Sequence, residues 1–412
     1  MHKFFIIPIL IAFSLVSLET AAKSDLGIGI KVFEKMQEAQ VQIDAKNYAA
    51  ALTMLDELLL QSGLNNYEIA QTLSIKGSVY FQQEEIAKAL EIFKKVITYE
   101  NIPKGFLEIN LRTLAQLSFM EDDYQASLDY ARQLQNISET PDANNYMLIG
   151  QIYYKLENYA KALENINIAI KLEQDIGKQV KENWLLILNA VYYSLNDYPN
   201  MIKVLEQIIA LYPRERYMLS LAAVYGQLEK TEKQLLLMEP LYDKGLLTQE
   251  SELLNLANLM LLHKAPYKGA KIIEKGFADK NIKRTKRNLE MAAQAWQLAA
   301  EDEKSVVFLA EAAELSEDGN TYMTLGQTYM NLYRWKDAES ALEKALKKGD
   351  LRKEGDTHLL LGMTRFHQKQ YLSARRAFVD AKDHDYSAKL AEQWITYMRQ
   401  EQEKEEAAEL IN

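Results

Sequence analysis

Residues 146–169 read YMLIGQIYYKLENYAKALENINIA, and residues 322–345 read YMTLGQTYMNLYRWKDAESALEKA. Set side by side, Tyr146, Ile149, Gly150, Tyr153, Tyr159, Ala162, Ile166 and Ala169 fall position for position on Tyr322, Leu325, Gly326, Tyr329, Trp335, Ala338, Leu342 and Ala345. The pattern returns as His358, Leu361, Gly362, Arg365, Tyr371, Ala374, Phe378 and Ala381, and again as Leu73, Lys76, Gly77, Tyr80, Ile86, Ala89, Phe93 and Val96. Each copy reads as a helix, a turn and a second helix. One such copy would be weak evidence; four in register make the chain a repeat.

Between these copies the pattern continues in weaker form. The small residue opening the second helix is a marker, placed at Ala51, Ala89, Ser127, Ala162, Met201, Gln234, Ala270, Ser305, Ala338 and Ala374. Successive intervals are 38, 38, 35, 39, 33, 36, 35, 33 and 36 residues. They scatter just above a period of about 34 residues. The spacing and its aromatic, Leu-Gly, Tyr and Ala positions resemble the tetratricopeptide repeat. The resemblance implies an all-α α-solenoid of about ten helix-turn-helix units forming a right-handed superhelix, with the first helix of each unit lining a concave face.

The chemistry of the pattern is packing. A Gly such as Gly150 or Gly326 sits where the two helices of a unit meet, facing a small partner such as Ala162 or Ala338. No single unit can cover its own apolar face, so neighbours must stack. Pro199 and Pro266 are placed to open second helices, where a missing N–H does no harm. Pro103, Pro141 and Pro213 fall in connections, and Pro240 is expected to shorten a helix of the seventh unit. Residues 23–384 form the array. Residues 385–412 read as a capping helix held by Trp394, followed by a solvated acidic tail.

Composition agrees. Hydrophobic residues are 48% and charged residues 26%, while Gly (16) and Pro (7) are scarce, a balance that favours folded helix over disorder. A net charge of −10 without a long basic tract argues against a nucleic-acid or anionic-lipid binder. At the start, Met1, His2 and Lys3 precede an uncharged stretch from Phe4 to Leu18, interrupted by Pro8, and then Thr20, Ala21 and Ala22. This reads as a signal peptide over 1–22, cleaved after Ala22, and implies a periplasmic protein in a Gram-negative source. With no Cys there is neither a disulfide nor a lipid-anchored cysteine.

No catalytic pattern is present. Without Cys there is no thiol nucleophile, the five His are scattered, and no phosphate loop, H-E-x-x-H or G-x-S-x-G sequence occurs. Neither a cofactor nor a metal is expected. Binding is, and helix geometry nominates Phe81, Arg112, Gln116, Phe119, Gln151, Tyr154, Tyr193, Gln327, Met330 and Phe366 for the concave face. Aromatic area with interleaved amides suits an extended peptide or a helix. Lys280, Lys283, Arg284, Lys286 and Arg287 form a basic cluster that would dock an acidic partner or lie as a solvated loop.

The segments Lys181 to Leu186, Glu250 to Ala257, Pro266 to Lys268 and Lys271 to Gly276 are similar to those of exported proteobacterial tetratricopeptide proteins encoded beside TonB–ExbB–ExbD systems. That resemblance implies a periplasmic accessory to TonB-dependent uptake, with TonB, ExbB or ExbD among the partners. Two other readings stand beside it: a scaffold for cell-envelope assembly or polysaccharide export, and a carbohydrate or small-ligand binder using the aromatics.

Overall fold

The structure is a computed structural model that describes residues 27–409, with side chains to Lys404. The leader over 1–22 and its cleavage after Ala22 lie outside the described residues. Within them every regular element is a helix, twenty-one in all, in two compact bodies that divide between Pro213 and Arg214. The first body holds five pairs: α1 (Ile30–Asp44) with α2 (Tyr48–Leu59), α3 (Asn66–Gln82) with α4 (Ile86–Val96), α5 (Lys104–Met120) with α6 (Tyr124–Ile137), α7 (Ala143–Lys155) with α8 (Tyr159–Asp175), and α9 (Glu182–Ser194) with α10 (Tyr198–Leu211). The second holds another five: α11 (Glu215–Gln227) with α12 (Thr231–Asp243), α13 (Glu250–Leu262) with α14 (Pro266–Ala278), α15 (Lys286–Leu298) with α16 (Asp302–Leu315), α17 (Asn320–Asn331) with α18 (Trp335–Lys348), and α19 (Glu354–His367) with α20 (Tyr371–Lys382). A long helix, α21 (Asp385–Glu409), follows.

One turn closes all ten pairs. Its central residue is left-handed, with φ between 55° and 61°: Lys46, Glu84, Asp122, Glu157, Asn196, Glu229, Lys264, Ala300, Tyr333 and Lys369. In the fourth unit the Glu157 N–H donates to the Tyr154 carbonyl (3.1 Å) and the Asn158 N–H to the Tyr153 carbonyl (2.8 Å). The same two bonds recur in every pair, satisfying carbonyls that a helix end would otherwise leave open. None of these residues is Gly. A side chain in this conformation costs roughly 1 kcal/mol, and the paired bonds and the docked second helix hold it there.

Counting from the turn fixes the register. Seven residues before it stand Ala39, Gly77, Ala115, Gly150, Asn189, Ala222, Ala257, Ala293, Gly326 and Gly362, small everywhere except Asn189. A Cβ on Gly150 would lie 2.6 Å from Ile166 Cγ1 and 3.3 Å from the Ala162 carbonyl oxygen, and one on Gly326 would lie 2.7 Å from Leu342 Cγ. Five residues after the turn comes the small marker, and nine of its ten sequence placements stand. The seventh shifts by one: the crossing is made by Gly269, where a Cβ would lie 2.4 Å from Leu261 Cδ1 and 3.0 Å from the Ala257 carbonyl oxygen. Ala270, its fully buried neighbour, imitates the marker in sequence.

The sixth unit solves the same crossing differently. Its marker is Gln234, and Gly226 takes the position that is aromatic in several other units. A Cβ on Gly226 would lie 2.8 Å from Gln234 Nε2, so a bulky marker is matched by an empty first-helix position. Pro240 belongs to this unit and not to the seventh. Helix α12 runs through it to Asp243, because one lost bond beside the exposed Leu236, near the helix end, does not stop the last turn.

Stacking then buries what each pair leaves open. Phe93, Val96, Leu114 and Leu117 join residues of the second and third units in one apolar cluster. In the second body Trp296 is fully buried within a cluster running from Ala222 to Ala345. Helix α21 closes that body: the Trp394 ring stacks on Phe378 with centroids 5.9 Å apart, inside a cluster with Ala391 and Met398. The acidic stretch after Arg399, read from sequence as a solvated tail following the capping helix, continues that helix to Glu409.

Gly150→Leu and Gly326→Leu should each cost on the order of 1–3 kcal/mol, read as a lower denaturant midpoint, because Ile166, Ala162 and Leu342 leave no room. Ala300→Gly, at a left-handed position, should stabilise by up to about 1 kcal/mol. Ala299→Gly, one residue earlier in right-handed conformation, should destabilise by a similar amount.

Candidate functional site

The first helices carry the face on which binding was expected. Six residues before the left-handed residue, an amide recurs in six of the ten units as Gln40, Gln116, Gln151, Asn258, Gln294 and Gln327. In the second body, Asn258, Gln294 and Gln327 follow one another in consecutive units and all three are exposed. One helical turn further on stand Leu262, Leu298 and Asn331, the two leucines 63% and 58% exposed. Helices α13, α15 and α17 are joined side by side by polar bonds. Asn288 Nδ2 donates to Glu250 Oε1 at 2.7 Å, Thr321 Oγ1 to Glu290 Oε1 at 2.7 Å, and Gln297 Nε2 to Thr328 Oγ1 at 2.8 Å. Those side chains are occupied in holding the helices together, whereas Asn258, Gln294 and Gln327 make no side-chain hydrogen bond among the described residues.

The residues nominated from sequence are dispersed over this arrangement. Gln327 is exposed, and so is Tyr193, at 63%. Gln151 is buried, and its Nε2 has no acceptor among the described residues. Arg112 is held by Asp142 at 2.8 Å, and Gln116 is half-buried. Phe81 and Met330 pack half-buried on their cores, Phe119 sits edge-on to Tyr124 at 5.4 Å, and Tyr154 lies 5.9 Å from Tyr159. Phe366 lies beneath the capping helix, with Trp394 at 5.9 Å and Tyr397 at 5.6 Å between ring centroids. Packing thus takes most of the aromatics. The exposed amides Asn258 and Gln294, and the two leucines, were passed over because the middle units lack the Leu-Gly signal and the seventh is displaced by one residue. Measuring from the turn recovers them.

The basic cluster is partly spent. Arg284 forks onto Glu311, with Nε at 2.8 Å from Oε1, and lies over the Phe277 ring at 4.7 Å. This hydrogen bond holds the Glu311 carboxyl below its ordinary value and raises the guanidinium. Lys286 is 3.7 Å from Asp318 and 3.9 Å from Glu290. Lys280, Lys283 and Arg287 are exposed, with no ion pair for their side chains among the described residues. What remains is a dispersed positive edge.

Near the C-terminal cap the polar groups serve the fold. Burial acts to raise the Glu339 carboxyl, but bonds from Arg365 (2.8 Å), Gln368 (2.8 Å) and Gln370 (3.3 Å) outweigh it and hold it below the usual range. His358 faces His384 across 6.4 Å at the root of α21, with Asp380 at 3.8 Å and Glu354 at 4.0 Å. Burial, the largest influence, keeps its imidazole below the ordinary value despite these acids. Gly355 sits against the same corner: its N–H donates to Tyr386 Oη at 3.0 Å, and a Cβ there would lie 2.2 Å from Ser387 Oγ.

The profile of the tetratricopeptide repeat family matches residues 323–387, the ninth and tenth units. Over these two units the chain is similar to the tetratricopeptide repeat family. A second profile, the RNPP family C-terminal domain, matches residues 36–187, which span the first four tetratricopeptide-like pairs and the start of the fifth. No curated protein sequence matches. Among solved structures, a tetratricopeptide repeat protein from Parabacteroides merdae is similar at 15% identity over 70% of this chain and 94% of its own, with a TM-score of 0.39. The C-terminal part of a TPR repeat-containing protein from Cytophaga hutchinsonii shares 12% identity over 68% and 95%, with a TM-score of 0.42. MamA from Desulfovibrio magneticus shares 17% over 45% and 97%, with a TM-score of 0.38.

Because its folded value lies below that of an exposed imidazole, His358 binds a proton more readily once the chain unfolds. The stability this confers is complete above about pH 6.5 and falls as pH drops from there through the folded value. The denaturant midpoint of the second body should therefore decline between pH 7.5 and 5.5, and His358→Phe should flatten that slope.

Proposed function

We propose that the mature chain is an exported, non-catalytic scaffold that holds an extended segment of a partner protein along α13, α15 and α17. The observation that carries this reading is the run of exposed, unpartnered amides Asn258, Gln294 and Gln327 at one register position of three consecutive units. A carboxamide offers a donor and an acceptor together, which is what a peptide group in an extended chain requires. Leu262 and Leu298, one turn away on the same helices, supply apolar contact for the partner's side chains. Regular spacing favours a repeating ligand, and a polypeptide backbone is one.

The compartment and the system served rest on sequence. The leader over 1–22 supports export and a periplasmic location. The similarity of segments such as Lys181 to Leu186 and Glu250 to Ala257 to exported proteins encoded beside TonB–ExbB–ExbD systems supports a role in TonB-dependent uptake. Several residues that carry this similarity are core: Trp184, Leu253 and Leu256 are each no more than 3% exposed. They preserve packing, so the uptake role leans on the likeness as a whole and not on any one of these side chains.

In-cell crosslinking from the first-helix face, with partners identified by mass spectrometry, tests both parts. Recovery of a TonB-system component on a chain that begins at Lys23 is the expected result. Envelope-assembly or polysaccharide-export components instead would overturn the uptake role. Gln294→Ala together with Gln327→Ala should weaken binding of the recovered partner roughly 10- to 100-fold, at about 1 kcal/mol per lost hydrogen bond. Unchanged affinity would reject the amide face.

A further inference from the structure

The first body contains a cleft between its third and fourth units. The start of α5, the connection between α6 and α7, and the end of α8 enclose about 690 Å³, within the range of small-ligand sites. Two ion pairs in its wall are already closed: Lys104 Nζ is 2.8 Å from Glu139, and Arg112 is 2.8 Å from Asp142. Glu173 lines the same cleft and is only 6% exposed, yet its carboxylate has no hydrogen bond or ion pair among the described residues. Glu108 also lines it without a partner. The one unpaired cation in the wall, Lys178, is exposed and lies beyond ion-pair distance of Glu173.

The Glu173 carbons are covered while its carboxylate opens into the cleft without a counter-charge, and a cation brought into that recess is attracted to it. An anion would find the wall's Arg112 and Lys104 already neutralised. Beside Glu173, Leu172 and the 62% exposed Ile176 offer an aliphatic strip. A cation on an apolar stem matches this combination, and Lys and Arg are the side chains built that way. Ser138 and Thr140 line the cleft with hydroxyls that could accept the remaining N–H groups.

We infer that this cleft takes a Lys or Arg side chain of a partner polypeptide, with its cation on Glu173 and its stem on Leu172 and Ile176. The inference rests on the partner-binding reading and adds to it a basic residue that the partner must carry. It places a charge-selective contact in the first body, separate from the backbone-selective amides of the second.

The test uses the mature chain with labelled Ile and Leu methyl groups, titrated with tri-lysine and with the same peptide acetylated at every Nε. Tri-lysine should shift the methyl resonances of Ile176 and Leu172 while the acetylated peptide, which keeps the stem and loses the charge, should not. Glu173→Gln should weaken tri-lysine roughly tenfold or more. The same substitution is nearly isosteric and breaks no side-chain hydrogen bond or ion pair among the described residues, so its melting temperature should stay close to that of the parent, which separates lost binding from lost folding. No shift at Ile176 with tri-lysine, equal shifts with both peptides, or undiminished binding by Glu173→Gln would each overturn the inference. If tri-lysine moves Leu262 and Leu298 but not Ile176, the cleft fails and the amide face stands.

Discussion

Everything in this molecule is referred to the left-handed residue that ends each first helix. Its two backbone bonds fix where the second helix begins, and that start fixes which residues meet seven positions upstream and five downstream. The approach there is close enough that the first helix offers Gly or Ala in nine of the ten units. Once the two helices are locked at that distance, their remaining apolar faces point at the neighbouring pairs, and stacking follows. The sixth unit shows that the constraint is on space and not on residue type. Gln234 fills the crossing, and the room it needs is yielded by Gly226.

How far this was legible in sequence follows from which residues the constraint touches. Where Gly150, Gly326 and Gly362 carry the close approach, the repeat declares itself, because a small residue there is flanked by apolar and aromatic partners at fixed offsets. Where Ala or Asn189 stands instead, only the interval remains as a guide, and at Gly269 and Ala270 two adjacent small residues made the interval ambiguous by one. The left-handed residue inside the turn was not legible. Glycine is the usual sign of a left-handed residue, and the chain uses Lys, Glu, Asp, Asn, Ala and Tyr there. Tertiary packing, not local preference, enforces the conformation.

The binding surface was harder to read for a related reason. Aromatics look like ligand contacts in a list of residues, but a ring large enough to grip a partner is also large enough to fill a gap between helices. Phe81, Phe119 and Tyr154 do the latter, and Phe366 serves as the seat of α21. Amides give the opposite error. They look like ordinary surface residues until the register shows them at one position in consecutive units. Glu173 belongs to a third class, unremarkable in sequence and informative only because the fold buries it without a partner.

The pairwise construction also bears on how the chain reaches its native state. Nearly all contacts join a helix to its own partner or to the next unit, so no segment waits on a residue at the far end of the chain. A polypeptide delivered end first, from a ribosome or through a pore, could therefore close one hairpin of helices after another as they emerge. Within each body, each new pair would add its apolar face to the one before, and α21 would come last as the lid on the second. The order of the sequence then becomes an order in time.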